Sequence, residues 1–180
     1  MKTYLTYGIG IAAAGFLLNL LLFFTGFHTD VEKVSQAGTI SSLVGLAISI
    51  VGIVLGTKAR RAEVPASENF GYGRALGAGV MISLIASLAG AVLQLVYTGV
   101  INPGFNELTV QSQVAAWEAA GMSQSQIDTA ESMTRKFMHP AIQAGFILFF
   151  GVLFGTIISL VTSAFLRRPA TADAPPPVVA

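Results

Sequence analysis

Residues 141–165 read AIQAGFILFFGVLFGTIISLVTSAF and contain no Asp, Glu, Lys or Arg. A helix needs about 20 predominantly apolar residues to cross the hydrocarbon core of a bilayer, which is roughly 30 Å thick. Three further stretches meet this requirement, residues 4–24, 40–57 and 75–97, and none of them carries a charged side chain. The sequence therefore predicts an all-α, polytopic membrane protein with four transmembrane helices in one domain, residues 1–168.

The overall composition leads to the same class. Only 11% of the 180 residues are charged and 53% are hydrophobic, whereas about a quarter of a soluble domain is charged. The net charge of +1 argues against nucleic-acid binding, which normally requires a concentrated basic face. The chain has no cysteine, which excludes disulfides and thiol catalysis. We expect the first span to be retained, because its apolar core is longer than that of a signal peptide.

The basic residues predict an orientation, because positively charged loops resist translocation. Seven of the ten lie on one side of the four spans: Lys2, Lys58, Arg60, Arg61, Arg74, Arg167 and Arg168. Lys33, Arg135 and Lys136 lie on the other side. This distribution predicts a multi-pass protein of the bacterial inner membrane with both termini in the cytoplasm. Residues 25–39 and 98–139 would be outer loops, and residues 58–74 the inner loop.

The segment between spans three and four contains helix start and stop signals. Asn102-Pro103-Gly104 predicts a turn, Gly121 suits a helix C-terminus, and Ser123 with Gln126 matches a capping box. We therefore expect two short amphipathic helices within residues 105–138, on the membrane surface or as a lid or docking surface. Residues 169–180 are rich in Ala and Pro and predict a disordered cytoplasmic tail.

Three stretches are each short but specific in combination: Phe70-Gly71-Tyr72-Gly73-Arg74-Ala75-Leu76, Ile101-Asn102-Pro103-Gly104-Phe105, and the residues from Gly121-Met122-Ser123 through Met138-His139-Pro140. They resemble those of one bacterial family, the domain of unknown function 4199. The similarity extends from about residue 2 to residue 168. The resemblance implies a small integral membrane protein of four helices, and it implies no activity and no site residues.

Small residues recur at intervals of three or four along the spans, and such residues let helices approach closely in lipid. The predicted helix-packing residues are Gly45, Ser49, Gly52 and Gly56 in span two, Gly79 and Ser83 in span three, and Gly151, Gly155 and Ser159 in span four. They indicate tight packing within one bundle. Homodimerisation through the seam of span two or span four is the alternative.

Polar side chains in the spans fall in the half predicted to face outward. Asn19, Gln94 and Gln143 are amides, and His139 lies beside the last of them. A buried amide needs a hydrogen-bond partner, so one interpretation is that these groups bond between helices. The other is that they form a binding site for a small polar ligand or a lipid headgroup.

The sequence lacks the GxxxxGK[ST], HExxH and GxSxG motifs and has only two histidines. We therefore expect no enzymatic activity, no cofactor and no metal. Ion transport is disfavoured, because such pathways normally use ionisable residues inside the membrane. The first hypothesis is a structural or accessory component of a membrane complex, with lipids and a membrane protein or a second copy as partners. The alternative is a small-molecule or lipid-headgroup binder or transporter.

Overall fold

A computed structural model describes residues 1–171. The helices in this part of the chain are α1 (Lys2–Phe24), α2 (Val31–Ala62), α3 (Tyr72–Val96), a π-helical turn (Tyr97–Ile101), α4 (Phe105–Ala119), α5 (Gln124–Phe137) and α6 (Pro140–Leu166). Four of them are long and apolar enough to cross a membrane: α1, α2, α3 with its π-helical turn, and α6. The predicted all-α fold with four such helices is confirmed. Of the predicted tail, residues 172–180 lie outside the described residues.

The second helix extends well beyond the apolar stretch that predicted it. Most of the predicted loop 25–39 is helical, because Asp30 caps the helix by accepting a hydrogen bond from the Glu32 amide at 2.9 Å. The extension continues through charged residues to Ala62. At 1.5 Å per residue, α2 is about 48 Å long, which exceeds the hydrocarbon core. Hydropathy locates only the apolar part of such a helix, so α2 extends on both sides into residues of the predicted loops.

The most extensive contact in the bundle joins α3 to α6, and the order of the residue pairs along the two helices shows that they run antiparallel. A glycine on one helix lies against a serine on the other in three successive steps, and a Cβ atom on any of these glycines would overlap the serine. The pairs are Gly79 with Ser159, Gly155 with Ser83, and Gly151 with Ser87. Each serine hydroxyl donates to a carbonyl of its own helix, four residues back, so these polar groups are satisfied inside the contact.

One end of the bundle, which we call the basic end, carries the start of α1, the loop 63–71 and the end of α6. There Phe70 and Arg168 form an isolated antiparallel bridge, with amide-to-carbonyl distances of 2.9 and 2.8 Å. The Arg168 guanidinium also donates to the carbonyls of Val64 and Pro65, each at 2.8 Å. These bonds fasten the chain after α6 to the loop between α2 and α3.

The opposite end, the hairpin end, carries α4 and α5. Gly121 has a φ of +74°, which suits the residue that follows a helix C-cap, and the Ser123 amide donates to Gln126 Oε1 at 3.0 Å. Arg135 of α5 contacts Glu107 of α4 at 2.6 Å and Glu131 at 2.8 Å. Two helices are therefore present and joined in the predicted segment, while their amphipathic character and their place on a membrane surface stay predictions.

Candidate functional site

The small residues of α2 divide into a packed half and an open half. Gly52 lies against Ile11 of α1, and Gly56 lies against Tyr7 of α1 and Ile82 of α3, so neither position has room for a Cβ atom. Gly45 has no neighbouring atom within 4 Å of a Cβ built on it. The seam of α2 is thus used for packing only towards the basic end.

Beside the open half of α2 lies a groove between α2, α3 and α6, with a volume of about 560 Å³. Ser42, Leu46 and Ser49 form its α2 wall. Small residues of the α3–α6 contact form its floor, and Phe150 and Phe154 stand at its α6 side. The Ser49 hydroxyl donates to the Gly45 carbonyl at 2.8 Å and is therefore not a free donor. The surface of the groove is mainly apolar.

A smaller cavity of about 260 Å³ lies nearer the hairpin end, and two of the predicted ligand-binding residues line it. Asn19 of α1 and Gln94 of α3 share it with Ser41 and Gly45 of α2. Within residues 1–171 neither amide side chain has a hydrogen-bond partner, although other polar side chains of the bundle do. The structure therefore places two unpartnered amides on one small cavity.

The other two predicted ligand-binding residues lie elsewhere. Gln143 donates to Asn106 of α4 at 3.1 Å and contacts the Met138 sulfur at 3.1 Å, so it connects α6 to α4. His139 is exposed and lines an open surface hollow with Asp128 and other residues of α5. The four predicted residues thus occupy three separate places.

A buried polar cluster at the hairpin end has no counterpart in the sequence analysis. His28 Nδ1 lies 2.6 Å from the Tyr97 hydroxyl, and the Asn102 amide donates to the His28 carbonyl at 2.9 Å. Phe105 packs on both rings. Burial lowers the pKa of His28 below its ordinary value, which keeps the imidazole neutral. The cluster fixes the end of α1 to the π-helical turn.

The sequence contains the residues of this cluster but does not indicate that they meet. In the sequence Asn102 indicates only a turn, and His28 is one residue of a predicted outer loop. Their contact joins positions 74 residues apart, and no local pattern in a single sequence pairs such positions.

The described residues hold no group of three or more His, Cys, Asp or Glu side chains able to bind a metal. The candidate sites are instead a lateral groove of small and apolar residues and a small cavity with two amides. Such surfaces bind by packing and hydrogen bonding. The fold and these surfaces define the class of the protein, a polytopic membrane protein of the helical-bundle type.

The comparison with known families gives the particular family. The model of the family described as a protein of unknown function, DUF4199, matches residues 6–168. The chain belongs to this family, as its short motifs indicated. No curated protein matches the chain, and no solved structure does.

Proposed function

We propose that the protein is a non-enzymatic accessory component of a membrane complex, and that a transmembrane helix of a partner protein packs into the groove between α2, α3 and α6. The small residues of the groove would let the partner helix approach closely, and helix association in lipid depends on such close van der Waals packing. Lipid chains would fill the groove when the partner is absent.

The packing of α2 carries this proposal. Only 6% of an apolar 18-residue stretch of α2 is buried in the bundle, against 11% for α6, 17% for α1 and 28% for α3. Yet α2 carries small residues at the same spacing as the packed helices, and its half towards the hairpin end is not closely packed: Ser49 lines the groove, and a Cβ built on Gly45 meets no atom within 4 Å. A helix that only faced lipid would have no need of such a surface.

Filling the groove tests the proposal. Ser49→Phe places a large side chain in the groove, and Leu43→Phe is the matched control, because Leu43 is 67% exposed and does not line the groove. Each tagged variant is purified in mild detergent from the native host and its partners are quantified by mass spectrometry. We expect a membrane protein that co-purifies with wild type and Leu43→Phe but is lost from Ser49→Phe. A wild-type chain recovered alone as a monomer, or equal recovery with both variants, would overturn the proposal.

A second candidate function is the binding of a small polar ligand in the cavity of Asn19 and Gln94. It is favoured because two half-buried amides without partners line one cavity, where a polar ligand would supply the hydrogen bonds that they lack. The chain lacks cysteine, so Asn19→Cys and Gln94→Cys can be labelled cleanly with a membrane-impermeant thiol reagent. Labelling of both, with Leu21→Cys as the lipid-facing control, supports a water-accessible site. Protection of both positions contradicts it.

We also propose that the basic end faces the cytoplasm of a bacterial inner membrane, with both termini on that side. The support is the distribution of basic residues, seven against three, together with the positive-inside rule. Reporter fusions after Arg168 and within the α4–α5 hairpin test it. We expect a cytoplasmic reporter to be active at the first position only, and the reverse pattern would contradict the orientation.

A further inference from the structure

A second cavity of about 500 Å³ opens at the basic end, between the start of α1, the end of α2, the loop 63–71 and the start of α3. Its deep wall is apolar and well packed, because Phe70 and Ala78 are each 1% exposed. Gly77 and Met81, on the exposed face of α3, line its side. The cavity therefore continues from the charged end of the bundle to the apolar flank of α3.

Two ion pairs stand at the mouth of this cavity. Arg60 contacts Glu63 at 2.7 Å, and Arg74 contacts Glu68 at 2.9 Å. All four side chains line the cavity, and all four are at least one-third exposed. Two positive and two negative charges balance, so the mouth has both signs of charge and no net charge.

The ion pairs leave specific atoms unused among residues 1–171. Arg60 donates through Nη1 to Glu63 and through Nε to the Tyr4 hydroxyl, so its Nη2 has no partner. Arg74 donates only through Nη1, to Glu68 and to the Asn69 carbonyl. Glu68 accepts only at Oε2, which leaves Oε1 available. Guanidinium donors and a carboxylate acceptor thus lie at one opening.

Glu63 contributes a fixed negative charge to the mouth. Thr3 donates a hydrogen bond to one of its oxygens and Arg60 to the other, and these two bonds hold the pKa of the carboxyl below its ordinary value. The carboxylate therefore stays ionised over the physiological pH range, and it repels an anion that brings no positive charge of its own.

We propose that this cavity binds phosphatidylethanolamine, with the lipid phosphate on the unused guanidinium donors of Arg60 and Arg74 and the ammonium on Glu68. A headgroup with one negative and one positive charge complements a mouth with two of each. The primary ammonium donates hydrogen bonds to a carboxylate, which the quaternary ammonium of a choline lipid does not. One acyl chain lies along Gly77 and Met81 on the flank of α3. Phosphatidylglycerol has a phosphate but no ammonium, so it would add a net negative charge beside the two carboxylates.

Glycines on α3 provide a blocking variant and a matched control. A Cβ built on Gly77 or on Gly73 meets no other atom within 4 Å, so Gly77→Leu and Gly73→Leu both fit the fold. Only Gly77 lines the cavity. The protein is reconstituted in nanodiscs of equal parts phosphatidylethanolamine and phosphatidylglycerol, extracted, and its retained lipids are counted by native mass spectrometry.

We expect wild type and Gly73→Leu to retain phosphatidylethanolamine in preference to phosphatidylglycerol, and Gly77→Leu to retain about tenfold less of it. A tenfold loss corresponds to about 1.4 kcal/mol, the size expected when roughly two methylene groups of the acyl chain lose their contact along Gly77. Equal retention of the two lipids by wild type, or undiminished retention by Gly77→Leu, would overturn the proposal.

A variant that changes the charge tests the binding of the headgroup separately from the space that the cavity offers to the acyl chain. Glu68 is exposed, so Glu68→Gln leaves the packing intact, removes the ammonium partner and frees Arg74. We expect this variant to lose the preference for phosphatidylethanolamine and to retain more phosphatidylglycerol than wild type does. An unchanged preference contradicts the proposed role of Glu68. If circular dichroism shows that Gly77→Leu has lost its helical fold, the Glu68→Gln result decides alone.

Discussion

The α3–α6 contact and the open half of α2 use the same residue types with different results. In the first, three glycines lie against three serines, and the helices are so close that no Cβ atom fits. In the second, Gly45 and Ser49 have the same spacing, but Gly45 has free space beside it. Small residues at intervals of four therefore indicate that a helix can pack closely against another helix. Whether a helix of the same chain does so depends on how the other helices are placed.

The largest expected effect comes from adding one methyl group to each region. In Gly155→Ala the new Cβ meets the side chain of Ser83 and approaches its backbone, so the helices must separate. We expect a loss of about 1–3 kcal/mol in the free energy of unfolding. In Gly45→Ala the methyl group enters open space, and we expect no loss or a gain of about 0.5–1 kcal/mol, because alanine favours the helix. Unfolding by SDS in mixed micelles measures both.

An exchange of side chains sharpens this comparison. Ser83→Gly combined with Gly155→Ala returns the space that the new methyl group needs. The double variant should be more stable than the sum of the single effects by about 1 kcal/mol. Strict additivity, or an equal loss for Gly45→Ala, would show that the two regions do not differ in packing.

A smaller effect is expected where α3 ends. Tyr97→Phe removes the hydroxyl that contacts His28 and Asn102, so that the buried His28 Nδ1 loses its partner and the Asn102 amide keeps only its bond to the His28 carbonyl. We expect a loss of about 1–2 kcal/mol in the free energy of unfolding. Tyr72→Phe is the control, because its exposed hydroxyl bonds to the Leu160 carbonyl of α6, and that carbonyl also accepts a bond within its own helix. Equal losses in the two variants would remove the distinction.

The smallest expected effect is a pH dependence from His28. Its pKa is lower in the folded protein than the ordinary value of 6.5, so between these two values the unfolded chain binds a proton that the folded chain does not. Stability is therefore complete above about pH 6.5 and decreases as the pH falls, by less than about 1.4 kcal/mol per pH unit. The SDS unfolding midpoint, compared at about pH 7.5 and pH 5.5, measures the change.

The variant His28→Gln supplies the control for this pH dependence. It removes the titrating group and keeps a polar side chain, so its midpoint should change less between the two pH values. An identical change in wild type and variant would assign the effect to other groups.

The sequence predicts the number, type and order of the spanning helices, because a long run of uncharged apolar residues has few other structures available in lipid. It also predicts the turn at Gly121 and the cap at Ser123, since both depend on neighbouring residues. It does not predict that α2 continues through the charged residues that follow Asp30. Nor does it predict which of four polar residues meet, because Asn19 and Gln94 share a cavity only through the packing of α1 on α3.

The most direct test of the account is photo-crosslinking from α2 in living cells. A photoreactive amino acid replaces Leu46, which lines the groove, or Leu43, which is exposed on the same helix and lies outside the groove. The account predicts a discrete adduct with another membrane protein from position 46 and none from position 43. Lipid adducts alone from both positions, or an adduct at twice the mass of the chain from position 46, would contradict the accessory role; the latter would assign the groove to self-association.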